Sequence, residues 1–212
     1  MIKKTRVKIC GVTRVADIQA AANGGADAVG LVFYPPSPRS VTPAQALELV
    51  KALPAFITST ALFVDPEPEW VEQVINEVKV DLLQFHGSET PEFCRQFSRP
   101  YIKAVAMQPT TDLMLLARDF SDAKGLLLDT YKPGVPGGTG EVFNWQWVPR
   151  DFSMPLILAG GLTPSNVALA IEQTQVWAVD VSGGVEASKG IKSADKIQQF
   201  IHQAQTQFVA HA

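Results

Sequence analysis

Eight short apolar runs, alternating along the chain with stretches of helical periodicity, predict an α/β fold: a single-domain (β/α)8 TIM barrel over residues 1–212. The runs are apolar at consecutive positions, as expected for parallel strands buried on both faces and not for a sheet with one wet face. Several runs also end in polar, glycine-bearing loops, which is where barrels of this class carry their chemistry.

In order, the predicted strands begin near Val7, Ala28, Thr58, Asp81, Tyr101, Gly125, Pro155 and Trp177. Between them lie apolar residues at helical spacing: Ala46, Leu49, Val50 and Leu53, then Val71, Val74, Ile75 and Val78, and last Ile197, Phe200, Ile201, Ala204 and Phe208. Thr42-Pro43, Thr90-Pro91 and Thr163-Pro164 each read as a helix start, and Gln45 stands where a capping box requires it. Strand and helix in alternation imply right-handed crossovers between parallel strands, and eight such units can close. A doubly wound open sheet is the alternative, but its dinucleotide fingerprint is missing after the first strand.

A formal charge of −3, with no run of Lys or Arg, gives no footprint for nucleic acid or an anionic membrane and points to a small-molecule partner. The segment Met1 to Val7 is followed by no signal-like apolar stretch, no run is long enough to span a membrane, and there are two cysteines. A cytoplasmic protein is expected.

Cys10 and Asp129 each close an apolar run, Val7-Lys8-Ile9-Cys10-Gly11 and Gly125-Leu126-Leu127-Leu128-Asp129-Thr130. A thiol and a carboxyl brought to one barrel mouth can divide general base from general acid work. Lys8 shares the strand parity of Cys10, so its ammonium should favour the thiolate, and a buried lysine there must meet a carboxylate such as Asp129 or Asp180. Arg39, in a proline-stiffened loop, can grip a substrate carboxylate or be an exposed structural arginine. His86 can be an acid, a donor to substrate or a loop residue held by hydrogen bonds.

Gly160-Gly161 and Gly183-Gly184 follow the last two strands. Glycine lets backbone amides approach an anion, and helix starts add a favourable dipole, so these pairs with Ser182 are expected to hold a phosphate. Gly134, Gly137, Gly138 and Gly140 lack the Gly-Lys-Ser/Thr ending of a nucleotide loop and are expected to form a mobile lid. The histidines and cysteines lack metal-ligand spacing, so neither metal nor cofactor is expected.

Taken together, Lys8-Ile9-Cys10-Gly11, Ala26-Asp27-Ala28-Val29-Gly30, Phe33-Tyr34-Pro35 to Arg39, Gln84-Phe85-His86-Gly87, Leu128-Asp129-Thr130, Gly137-Gly138-Thr139-Gly140, Ala159-Gly160-Gly161-Leu162 and Val179-Asp180-Val181-Ser182-Gly183-Gly184-Val185-Glu186 resemble the phosphoribosylanthranilate isomerase family of tryptophan biosynthesis. The resemblance covers nearly the whole chain, in the family's order. It implies a cofactor-independent Amadori rearrangement of N-(5-phosphoribosyl)anthranilate to 1-(2-carboxyphenylamino)-1-deoxyribulose 5-phosphate. It further implies Asp129 as general acid, Cys10 as general base, Arg39 on the anthranilate carboxylate, Asp180 on the sugar, and both glycine pairs with Ser182 on the phosphate. Lys8 and His86 are expected beside the substrate. The stretch from Tyr131 to Pro136 is longer than in compact members, and Glu141 stands where some relatives carry lysine. The chain resembles a free-standing enzyme, monomer or homodimer, and not half of a fusion with indole-glycerol-phosphate synthase. A ribulose-phosphate epimerase would need metal-binding residues on early strands, and a phosphate-sensing barrel would have no use for Cys10 and Asp129 together.

Overall fold

The computed structural model describes residues 4–130 and 142–205. Eight parallel strands close into a barrel in sequence order: β1 (Arg6–Cys10), β2 (Ala28–Val32), β3 (Thr58–Phe63), β4 (Leu82–Phe85), β5 (Tyr101–Met107), β6 (Leu126–Thr130), β7 (Leu156–Leu158) and β8 (Ala178–Val181). Helices α1 (Val15–Gly24), α2 (Pro43–Lys51), α3 (Pro68–Val78), α4 (Pro91–Arg95), α5 (Leu113–Asp119), α6 (Val167–Thr174) and α7 (Ala194–Gln205) accompany them. The strands contain the predicted runs, each starting within one residue of its expected place.

Strand alternation sorts the side chains into two cores. Val7, Ile9, Val29, Leu31, Phe63, Phe85, Leu126, Leu128 and Leu158 point outward and bury themselves under the helices. On β3 and β4 this layer is aromatic: Phe63 stacks on Phe85, and Phe85 meets Phe93 edge-on at 5.7 Å. The latter contact anchors α4, which is too short to cover the barrel with aliphatic side chains alone. Inside the barrel, Ile102, Ala104, Leu127, Ile157, Ala159 and Ala178 form a separate apolar cluster. Other inward positions carry Lys8, Cys10, Thr60, Gln84, Asp129 and Asp180, all buried.

Three local expectations are corrected. Thr42 forms the full capping box with Gln45, and Thr90 accepts from Phe93 N–H, but Thr163 caps no helix. Asn166 takes that position, and its Oδ1 accepts from Thr163 N–H at 2.8 Å, so Thr163-Pro164 opens a turn that precedes α6. Among the described residues the sixth unit has no α-helix, only a 3-10 turn at Trp145–Trp147. A hairpin, β9 (Glu186–Ser188) and β10 (Ile191–Lys192), intervenes between β8 and α7. Phe208, Glu141 and the lid expected around Gly134 to Gly140 lie outside the described residues.

Candidate active site

Lys8 and Asp180 are register partners on β1 and β8, and both side chains point into the barrel. Lys8 Nζ therefore reaches Asp180 Oδ1 at 2.8 Å, in a pair almost wholly removed from solvent. Burial alone would pull the Lys8 amine down, but the charge and hydrogen bond of Asp180, with a contribution from Cys10, hold it up at about 12. Lys8 is thus a fixed cation. It also acts electrostatically on Cys10, two residues on along the same face. At Cys10 burial dominates and raises the thiol, Lys8 and Lys192 pull it down, and Asp180 opposes them; the net direction is upward, so the resting group is a thiol.

Gly30 explains how this pair fits. It is the register partner of Cys10 on β2, and a Cβ there would stand 2.7 Å from Cys10 Sγ and 3.0 Å from Lys8 Nζ. No residue with a side chain leaves room for both groups. Next to Cys10, Gly11 takes φ +70°, ending β1 and leaving space for the Arg39 side chain, which would lie 2.6 Å from a Cβ at that position.

Asp129, at the end of β6, has both oxygens engaged. Oδ1 accepts from Thr130 N–H at 2.7 Å, and Oδ2 lies 3.0 Å from His86 Nε2. Gly160, with φ +78°, backs onto this carboxyl, where a Cβ would overlap Thr130 Oγ1 and come within 2.8 Å of Asp129 Oδ1. Gly160 was expected on the phosphate, but its tightest constraint comes from Asp129 and Thr130. His86, expected beside the substrate, directs its ring nitrogens to Asp129 and Gln84.

Asp129, Gly160, Gly161, Asp180, Ser182, Gly183 and Gly184 line one cavity of about 260 Å³ at the carboxyl ends of β6, β7 and β8. Gly184 lies so close to the following loop that a Cβ would overlap the Leu162 carbonyl oxygen. Cys10 is not in that lining. It sits beside Val32 and Leu62 on the neighbouring arc of the barrel, joined to the cavity through Lys8 and Asp180.

Arg39 presents its fork to a protein carboxylate, with Nε 2.6 Å from Glu186 Oε1 and Nη2 2.9 Å from Glu186 Oε2. Glu186 in turn receives Lys192 Nζ at 3.1 Å, and the same ammonium donates to Ser182 O and Oγ. Burial alone would raise the Glu186 carboxyl, and the two cations bring it below the usual range. Glu186 and Lys192 are site residues that the sequence pattern does not single out. Glu186 closes the motif that runs from Val179, but nothing in the sequence shows that a hairpin returns Lys192 to the mouth of β8.

The remaining expectations are simply placed. His202 lies on α7, and His211 is outside the described residues. Among the described residues no group of three or more His, Cys, Asp or Glu is arranged to hold a metal ion, and no helix is long and apolar enough to cross a membrane.

Residues 7–203 match the family model described as N-(5'phosphoribosyl)anthranilate (PRA) isomerase. The chain is 56% identical over 212 residues to N-(5'-phosphoribosyl)anthranilate isomerase of Alcanivorax borkumensis, with 97% of each chain covered. Its structure is similar to that of phosphoribosyl anthranilate isomerase from Thermotoga maritima, with TM-score 0.87, 39% identity, and 94% of this chain and 98% of that one covered. It is also similar, with TM-score 0.82, 38% identity and the same coverage, to a phosphoribosyl anthranilate isomerase in complex with reduced 1-(o-carboxyphenylamino)-1-deoxyribulose 5-phosphate. Barrel, rim chemistry and relatives agree, and the chain belongs to the N-(5'-phosphoribosyl)anthranilate isomerase family.

Proposed function

We propose that Cys10 and Asp129 divide the two proton transfers by which this chain isomerises N-(5'-phosphoribosyl)anthranilate in tryptophan biosynthesis. The observation that carries the reading is that Asp129 shares one cavity with both glycine pairs and Asp180, while Lys8 links Asp180 to Cys10. With the 5-phosphate held at Gly161, Ser182, Gly183 and Gly184, the sugar extends toward Asp129 on one side and Cys10 on the other.

Asp129 gives its proton to the furanose oxygen as the C1–O bond breaks, and the anilino nitrogen lone pair forms the C=N bond of a protonated Schiff base. Cys10, in the minor thiolate form that Lys8 favours, then takes the proton from C2. The C–H electron pair becomes the C1=C2 bond, the C=N pair returns to nitrogen, and the resulting enolamine tautomerises to the ketone. Lys8 supplies the fixed positive charge that favours the thiolate, and Asp180 contacts the sugar hydroxyls. Arg39 binds the anthranilate carboxylate, which must share the guanidinium with Glu186 or displace it. The reaction is internal to the substrate, takes place in the cytoplasm and calls on no cofactor.

The test is direct. Purified protein mixed with freshly made phosphoribosylanthranilate should abolish the substrate's fluorescence at a rate proportional to enzyme, with the ketone as product and insensitivity to chelators. Absence of turnover would refute the assignment, and chelator-sensitive epimerisation of a ribulose phosphate would favour the metal-dependent alternative.

A further inference from the structure

The contact between His86 and Asp129 continues one residue deeper into the barrel. Gln84, on β4, is fully buried, and its Nε2 lies 2.9 Å from His86 Nδ1. An amide nitrogen only donates, so this arrangement calls for the lone pair on Nδ1 and the proton on Nε2, the nitrogen 3.0 Å from Asp129 Oδ2. At its other end, Gln84 Oε1 is buried and accepts no hydrogen bond among the described residues. A buried carboxamide with half its capacity unused weakens the fold, whereas leucine or methionine would fill the same space without that cost. What the amide gains is its bond to His86.

We propose that Gln84 is a positioning residue for ring opening, acting through His86, which it holds as a neutral Nε2–H donor aimed at Asp129. The proposal rests on the reading of Asp129 as the general acid. As Asp129 releases its proton to the furanose oxygen, the O–H electron pair stays on the carboxyl and negative charge develops next to His86 Nε2–H. A hydrogen bond to that oxygen strengthens as the charge grows, so it lowers the barrier more than it stabilises the ground state. The ring must be neutral for this. An imidazolium at the same distance would favour the carboxylate throughout and leave no proton to give.

The surrounding ionisable groups do not take over the role. Lys8 is committed to Asp180, its register partner on the adjacent strand β8. Behind the loop that carries His86, Lys103 pairs with Glu89 at 3.0 Å and donates to Gly87 O at 2.7 Å, while Glu89 accepts from Gly87 N–H. That buried pair fixes the backbone of the loop; Gln84 fixes the proton on its imidazole.

The test uses protein labelled with 15N-histidine, the His86 signals being assigned by their loss in His86→Asn. Wild type should show His86 as the neutral Nε2–H tautomer. Gln84→Glu replaces the donor with an acceptor and should protonate Nδ1, with a fall in kcat of tenfold or more and KM within twofold. Gln84→Leu should leave the tautomer unselected and lower kcat by a smaller factor, again at constant KM. Unchanged kcat and unchanged 15N signals in both folded variants would overturn the proposal, as would a rise in KM at constant kcat. Should neither variant fold, the wild-type spectrum decides: an imidazolium or an Nδ1–H ring in the active enzyme overturns it. Asp129→Asn, assayed in parallel, separates the two readings. If it turns over normally, the acid assignment fails and this proposal with it; if it is inactive while the Gln84 variants behave as wild type, the positioning role alone fails.

Discussion

Lys8→Met should separate the structural from the chemical use of one ammonium. The Lys8 and Asp180 side chains are 7% and 8% exposed, so removing the lysine leaves a buried carboxylate without its cation. Breaking one side of such a pair costs about 3–5 kcal/mol. For a domain of this size each kcal/mol moves Tm by about 2–4 °C, so Tm should fall by roughly 6–20 °C. The folded amine stands at about 12 against its ordinary 10.5. Being raised, it contributes its full stability below pH 10.5 and loses it as the pH climbs through 12, so melts between pH 7 and 9 read the whole effect. Lys8 also holds down a Cys10 thiol that burial has raised, and its loss should raise that thiol further. The rate on the rising limb follows the thiolate fraction, so a thiol pKa higher by about one lowers the rate about tenfold at a given pH. The double variant Lys8→Met/Asp180→Asn removes the stranded charge and should recover most of the Tm while keeping a reduced alkaline displacement of the kcat profile against pH, because Lys8 acts on the thiol more strongly than Asp180. The assays are thermal melts and the fluorescence decay of phosphoribosylanthranilate over roughly pH 6–9, on the rising limb below a thiol that burial raises. A double variant whose rate and pH limb return together with its Tm would refute the chemical role and leave Lys8 as a structural partner only.

Cys10→Ala and Cys10→Ser should each lower kcat by about 10²–10⁴-fold with substrate-analogue binding little changed, as measured by single-turnover rates and calorimetry; alkylation of wild-type protein should inactivate it unless the analogue is bound. Asp129→Asn should lose ring opening, and wild-type kcat/KM across the pH range in this variant would pass the acid role to another group. Arg39→Ala should raise KM more than it lowers kcat, because a carboxylate clamp binds ground and transition states alike. Glu186, whose carboxyl the cations hold low, stabilises the fold above its ordinary value of 4.5 and should cease to do so as the pH falls below it, so melts of Glu186→Gln and wild type should converge in acid. Gly184→Val, which has no room beneath the Leu162 carbonyl, should lose substrate affinity, and inorganic phosphate should compete with substrate and raise the Tm of wild type but not of the variant.

The strands were legible where burial on both faces writes them as continuous apolar runs, as in Leu126-Leu127-Leu128 and Leu156-Ile157-Leu158. The same pattern is silent wherever local chemistry does not decide. Thr163-Pro164 carries a valid helix-start signal, yet the Asn166 side chain accepts from Thr163 N–H, a turn forms first, and α6 begins only at Val167. Site residues were legible by parity and by their place at strand ends, which set depth and the inward or outward direction. Parity cannot say which residues face each other around the barrel, and for Lys8 that left Asp129 and Asp180 equally open. Register decides between them: β8 is the neighbour of β1 and sets Asp180 opposite Lys8, while β6 is two strands further round, and its Asp129 meets His86 instead. The closure of the barrel, which no local sequence pattern encodes, sets Asp180 beside Lys8 and leaves Asp129 to His86, although Cys10 and Asp129 stand at equivalent strand ends.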